Sequence, residues 1–125
     1  MANYNLNVHT VPFFDSVKEP LTEAGESKSV WNNGYDNLAI ELSGTGSAAL
    51  SIQGCVNTVN AQGEQLEDAD CSWTSLSVLK ASDYSQVQQI EANGIYYVGI
   101  TGISRIRVKA TNVSGQVTIV GAFSK

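Results

Sequence analysis

The chain is poor in the residues that most catalytic and stapling chemistries require. Among its 125 residues there is a single histidine, His9, and no G-x-S-x-G elbow. A Ser-His-Asp triad or a Cys-His pair would have to rest on that one imidazole, in a segment without clear periodicity. The two cysteines, Cys55 and Cys71, match no CxxC redox or zinc spacing. Charge is scarce at 15% of residues, against about 25% in a typical domain. With seven Lys and Arg against twelve Asp and Glu, the net charge of −5 disfavours nucleic acid or an anionic membrane as the main partner. No apolar run approaches the roughly 20 residues of a membrane span. The N-terminus, Met1 to Val8, shows neither a basic region nor an apolar core of an export signal. A chain made and kept in a cytoplasm is the expectation.

What is present is strand pattern. Ile95 to Ile100 is followed by Thr101-Gly102, and Arg105 to Ala110 alternates cation with aliphatic residue. Val113-Ser114-Gly115 then leads into Val117 to Phe123. Alternation puts Ile106, Val108 and Ala110 on one face and Arg105, Arg107 and Lys109 on the other, which predicts a half-buried strand with a solvated basic side. The three segments read as a meander. A one-residue slip would bury the cations and expose the aliphatics, so the register should be firm. Upstream, Leu38, Ile40 and Leu42 alternate with Ala39, Glu41 and Ser43. Gly44 to Gly46 turns the chain, and Ala48, Leu50 and Ile52 continue on one face.

Lys28 to Trp31 predicts a short strand closed by Asn32-Asn33-Gly34. Asn57 to Asp70 reads as a polar loop and Trp73 to Lys80 as a strand. Ser82 to Ala92 allows a helix, by the spacing of Tyr84, Val87 and Ile90, or a turn plus a short strand; the β surroundings favour the second. Seven to nine strands at intervals of roughly 8–12 residues argue for an all-β, antiparallel, jelly-roll-like sandwich. Residues 27–125 form that domain. Residues 1–26, with both prolines, form an N-terminal arm or an edge strand with a loop.

The candidate site residues follow from this frame. Phe13 and Phe14 have little periodic context, so they pack on their own core or, if 1–26 is an arm, contact a partner. Trp31, Tyr35, Trp73, Tyr84, Tyr96 and Tyr97 are candidate glycan contacts, Trp31, Tyr35 and Trp73 foremost, since rigid rings stack on the apolar faces of sugars; of the adjacent Tyr96 and Tyr97, one faces the core and the other solvent or a neighbour. Cys55 and Cys71 flank the polar loop and either close a disulfide across its base, worth about 3 kcal/mol in the chain-entropy account, or stay as free thiols in a reducing compartment. Glu67, Asp68 and Asp70 supply oxygen ligands but lack the full calcium-loop pattern, so a solvated acidic loop is expected. No catalytic residue, metal site or cofactor is expected.

The segment Ala92-Asn93-Gly94-Ile95-Tyr96-Tyr97-Val98, with Gly102 to Val108 and Val113 to Gly121, resembles the C-terminal pattern of small bacteriophage and prophage virion proteins. These are head-decoration, head-fibre or tail-appendage modules. Trp73-Thr74-Ser75-Leu76 looks like the preceding strand of the same pattern, and the likeness covers about half the chain. It implies a non-enzymatic structural protein of the virion, assembled in the host cytoplasm, that forms homo-oligomers or docks on other virion proteins. A lectin-like adhesion module that binds a host surface glycan is the alternative.

Overall fold

The computed structural model describes residues 8–14, 21 and 23–125, with the backbone alone at Val8, His9 and Phe14. The expectations for the His9 and Phe14 side chains therefore lie outside the described residues. The strands are β1 (Val8–Phe14), β2 (Gly25–Glu26), β3 (Val30–Trp31), β4 (Asn37–Gly44), β5 (Ser47–Cys55), β6 (Thr74–Ser75), β7 (Val78–Lys80), β8 (Gln86–Val87), β9 (Gly94–Gly99), β10 (Arg105–Ser114) and β11 (Val117–Ser124). Four of the eleven have two residues, which accounts for the excess over the expected count. No α-helix occurs among the described residues, and Ser82 to Ala92 is a turn plus the short β8.

Two antiparallel sheets make a sandwich-like body. One runs β1-β11-β4-β9-β7-β8 and the other β2-β10-β5-β6, with β3 also on β10. β1 is the edge strand of the larger sheet, a position that tolerates Pro12. The inward residues are those that the alternation selects. Leu38, Ile40 and Leu42 of β4 face Leu50, Ile52, Ile106 and Val108 across one core, all at most 2% exposed. Each such aliphatic contributes about 1.5–3 kcal/mol by leaving water.

The last third of the chain is not a meander. β9 and β11 both pair with β4, whereas β10 lies in the opposite sheet beside β5. The turns β4–β5 and β10–β11 are therefore corners where the chain crosses from one layer to the other. They pack against each other, with the Gly46 amide donating to the Gln116 carbonyl at 3.0 Å. A Cβ on Gly46 would overlap the Ser114 carbonyl oxygen and lie 2.8 Å from the Gln116 nitrogen, so only glycine fits that approach. The stretch Trp73 to Lys80 also divides between layers: β6 joins β5, and β7 joins β9.

Candidate functional site

The two outer faces of the sandwich are treated differently. On the smaller sheet, β10 places Arg105 opposite Cys55 of β5 on one side and Trp31 of β3 on the other. The loop between β5 and β6 folds back across this face. Arg105 is consequently 4% exposed, not solvated as the alternation predicts, and Arg107 is half-buried; Lys109 alone of the three is exposed. Arg105 Nη1 donates to the Leu66 carbonyl at 2.7 Å, to Asp68 Oδ1 at 3.3 Å and to Cys71 Sγ at 3.4 Å. Its guanidinium carbon lies 4.3 Å from the centre of the Trp31 ring. Its Nε is buried with no hydrogen-bond partner among the described residues.

Asp68, in a single 3-10 turn (Asp68–Asp70), ties the loop down a second time. Its carboxylate accepts from the Ser29 hydroxyl at 2.6 Å and the Ser29 amide at 3.0 Å. Trp73 Nε1 donates to the Asp68 carbonyl at 2.8 Å, and the Trp73 ring carries Arg107 at 4.3 Å. Asp68 is thus an anchor, and no group of three or more His, Cys, Asp or Glu is arranged for a metal among the described residues.

Cys55 and Cys71 are buried free thiols. Burial first, and then the neighbouring Cys71 thiol, push the Cys55 thiol up from 9.0 to about 11. Cys55 Sγ donates to the Asn57 carbonyl at 3.3 Å.

On the larger sheet the outer face stays open. Ile95 is 46% exposed, Tyr97 43% and Leu79 38%, beside the half-buried Ala39, Val120 and Ala122 and the exposed Glu41, which stands between Ile95 and Val120. Tyr84, in the turn between β7 and β8, stacks on Tyr97 with ring centres 6.4 Å apart and planes 19° from parallel. It holds φ at 57°, a left-handed conformation that a bulky residue rarely adopts. A groove of about 690 Å³ runs beside Tyr97 and Leu79. Its polar lining is Asn37, Ser77, Gln86 and Ser124, with no charged side chain among the described residues.

The foremost residues singled out from sequence are not gathered at this open face. Phe13, considered there as a partner contact, is 5% exposed and belongs to the protein's own core, where its ring covers Gly121. Trp31 and Trp73 each have a ring face covered by an arginine on the roofed side, and Tyr35 packs in a tilted pair with Phe123. Sequence reading did not single out Arg105 as a buried anchor, nor Leu79 and Ile95; it named Tyr84 and Tyr97 among the candidate rings without joining them in one strip. The strip has a signal: in β9 the apolar Ile95 and Tyr97 occupy the positions out of phase with the buried Tyr96 and Val98.

Asn32 was likewise missed as a hub. Its amide donates to the carbonyls of Tyr35, Ile100 and Ile103 at 2.9, 3.1 and 3.0 Å, and its oxygen accepts from the Tyr35 amide at 3.0 Å.

No protein-family model and no curated protein matches the chain. Two solved structures share its fold. The SPBc2 prophage-derived protein YomS superposes with a TM-score of 0.72 at 18% identity, covering 100% of this chain and 99% of that one. The PBSX exported protein XepA superposes with a TM-score of 0.70 at 15% identity over 98% of this chain. This chain spans 40% of the length of XepA. At these identities the likeness is one of fold.

Proposed function

We propose that this chain is a non-catalytic structural module of a bacteriophage particle, which docks on a second copy or on a neighbouring virion protein through the open face of the larger sheet. The observation that carries this reading is the contrast between the two faces. One is roofed by its own loop, whereas the other leaves Leu79, Ile95, Tyr97 and Tyr84 exposed in one strip. A cluster of exposed large apolar side chains on one sheet face marks an interaction site, and the exposed Glu41, in register with Ile95, gives this one an acidic member. Tyr84 supports it, because a left-handed backbone at this residue sets a largely exposed ring on the same strip, stacked on Tyr97. The fold shared with the SPBc2 prophage-derived protein YomS, and with the PBSX exported protein XepA, supports the phage setting.

The test is substitution on the strip. Tyr97→Asp and Leu79→Asp should leave the β circular-dichroism spectrum unchanged while lowering the oligomer mass by light scattering to that of the 13.3 kDa monomer, or the copy number on purified particles at least tenfold. Unchanged mass and copy number in both variants would defeat the proposal.

A second reading, a neutral glycan on the same face, is favoured by one observation: the groove beside Tyr97 offers two amides and two hydroxyls and no charge among its described lining. Saturation-transfer NMR with neutral oligosaccharides should then show contacts that Tyr97→Ala removes. Absence of transfer across a broad glycan panel would end this alternative.

A further inference from the structure

The roof over the smaller sheet has a second property, independent of what the open face binds. The sequence holds two cysteines, so an intramolecular disulfide has one possible pairing. They stand at the two ends of the loop that makes the roof. Cys55 closes β5, in register with Arg105, and Cys71 Sγ accepts from Arg105 Nη1 at 3.4 Å, so one residue adjoins both cysteines, its backbone beside the first and its guanidinium on the second. Both side chains are buried, Cys55 at 2% and Cys71 at 9% exposure, and the Cys71 thiol lies close enough to Cys55 to help raise the Cys55 pKa. The ends of the loop are therefore already together before any bond forms.

We infer that Cys55 and Cys71 are a reversible redox strap: oxidised, they lock the loop between them over Arg105, and reduced, they leave it held by non-covalent contacts, those of Arg105, Ser29 and Trp73 among them. Glutathione disulfide suffices as the oxidant. The thiolate of Cys71, the more exposed of the two, attacks one sulfur of glutathione disulfide, forming a mixed disulfide and releasing one glutathione thiolate. The Cys55 thiolate then attacks Cys71 Sγ, the Cys55–Cys71 bond forms, and the second glutathione leaves. Two electrons pass to the glutathione pair, and the two cysteine protons end on the two released glutathione thiols. A reducing compartment keeps the strap open, and an oxidising one closes it.

The test uses the intact chain, equilibrated in excess reduced or excess oxidised glutathione, quenched with acid and alkylated. In oxidised buffer both thiols should disappear together, with the mass falling by two hydrogens and no covalent dimer. Cleavage after Glu64 or Glu67, which lie between the cysteines, should then give two fragments that separate on reduction and not before. Amide exchange at Leu66, Asp70 and Cys71, whose N–H groups hold the loop's internal turns, should slow by about tenfold or more on oxidation. Cys71→Ser should lose that oxidant-dependent slowing. A single glutathione adduct, linked dimers, two thiols that persist in oxidised buffer, or a disulfide that forms without slowing loop exchange would each overturn the inference. The wild-type arms decide the matter even if the variant fails to fold.

Discussion

Replacing Arg105 separates the two ways in which the roof is held. Arg105→Ala deletes the bond from a charged donor to the Leu66 carbonyl, worth about 1.5–3 kcal/mol. It also deletes the stacking on Trp31, worth about 0.5–1 kcal/mol because that ring is partly exposed. The Asp68 ion pair adds no more than about 0.5 kcal/mol, since the carboxylate side chain is 37% exposed. Removing the buried guanidinium, whose Nε has no hydrogen-bond partner among the described residues, returns about 1–3 kcal/mol of desolvation cost. The polar balance is therefore a net loss of only about 1 kcal/mol. The buried methylene stem adds about 2 kcal/mol at roughly 0.8 kcal/mol per methylene. Arg105→Ala should then cost about 3 kcal/mol, and Arg105→Met, which keeps the stem, about 1 kcal/mol. Urea unfolding measures both, and amide exchange in residues 56–73 reports on the roof. In both variants the roof should open more often than in the wild type. Equal losses for Met and Ala would refute the division between stem and charge. An Ala variant within about 0.5 kcal/mol of wild type, with loop exchange unchanged, would refute the anchoring role itself.

Three further outcomes are expected. Gly46→Ala should destabilise by about 1–3 kcal/mol in thermal or urea unfolding, because the added Cβ would collide with the backbone of Ser114 to Gln116; Gly25→Ala, with nothing within 4 Å of the added carbon, should leave the midpoint nearly unmoved. Asn32→Ala should cost about 2–3 kcal/mol by taking a donor from the Tyr35 and Ile103 carbonyls, the Ile100 carbonyl keeping the Ile103 amide, and Asn32→Asp should cost more at neutral pH by setting a carboxylate against them. Under reducing conditions, stability should fall as pH rises from about 9 to about 11. Across that window the folded Cys55 keeps a proton that the unfolded thiol, ionising near 9.0, has lost. The contribution is fully present below pH 9, and Cys55→Ala should flatten the dependence in a pH series of unfolding curves.

Much of this protein was legible from period-2 alternation alone. Leu38, Ile40, Leu42, Ile106, Val108 and Ala110 are buried as their spacing requires, and the all-β sandwich follows from the number of such segments. Turn residues placed the chain reversals equally well, because a residue's tolerance of positive φ is a local property; Gly34, Gly44, Gly102 and Gly115 all adopt it.

The candidate site was less legible. Alternation labels Arg105 as outward, and it is outward with respect to its own sheet. What buries it is the loop between Cys55 and Cys71 returning over that sheet, with Asp68 held by Ser29 some forty residues earlier. Nothing in the spacing of Arg105 carries that contact. Likewise, alternation says which side of β9, β10 and β11 is apolar but not which strand lies beside each. That choice placed β10 in one layer and its neighbours in the other, turning an apparent meander into two crossings. The sequence by itself determined the strands, their inward faces and their turns, because these are set within a few residues by sterics and solvation. The tertiary structure decided sheet membership, the roofed and open faces, and the meeting of the two thiols, because those depend on packing summed over segments far apart in the chain.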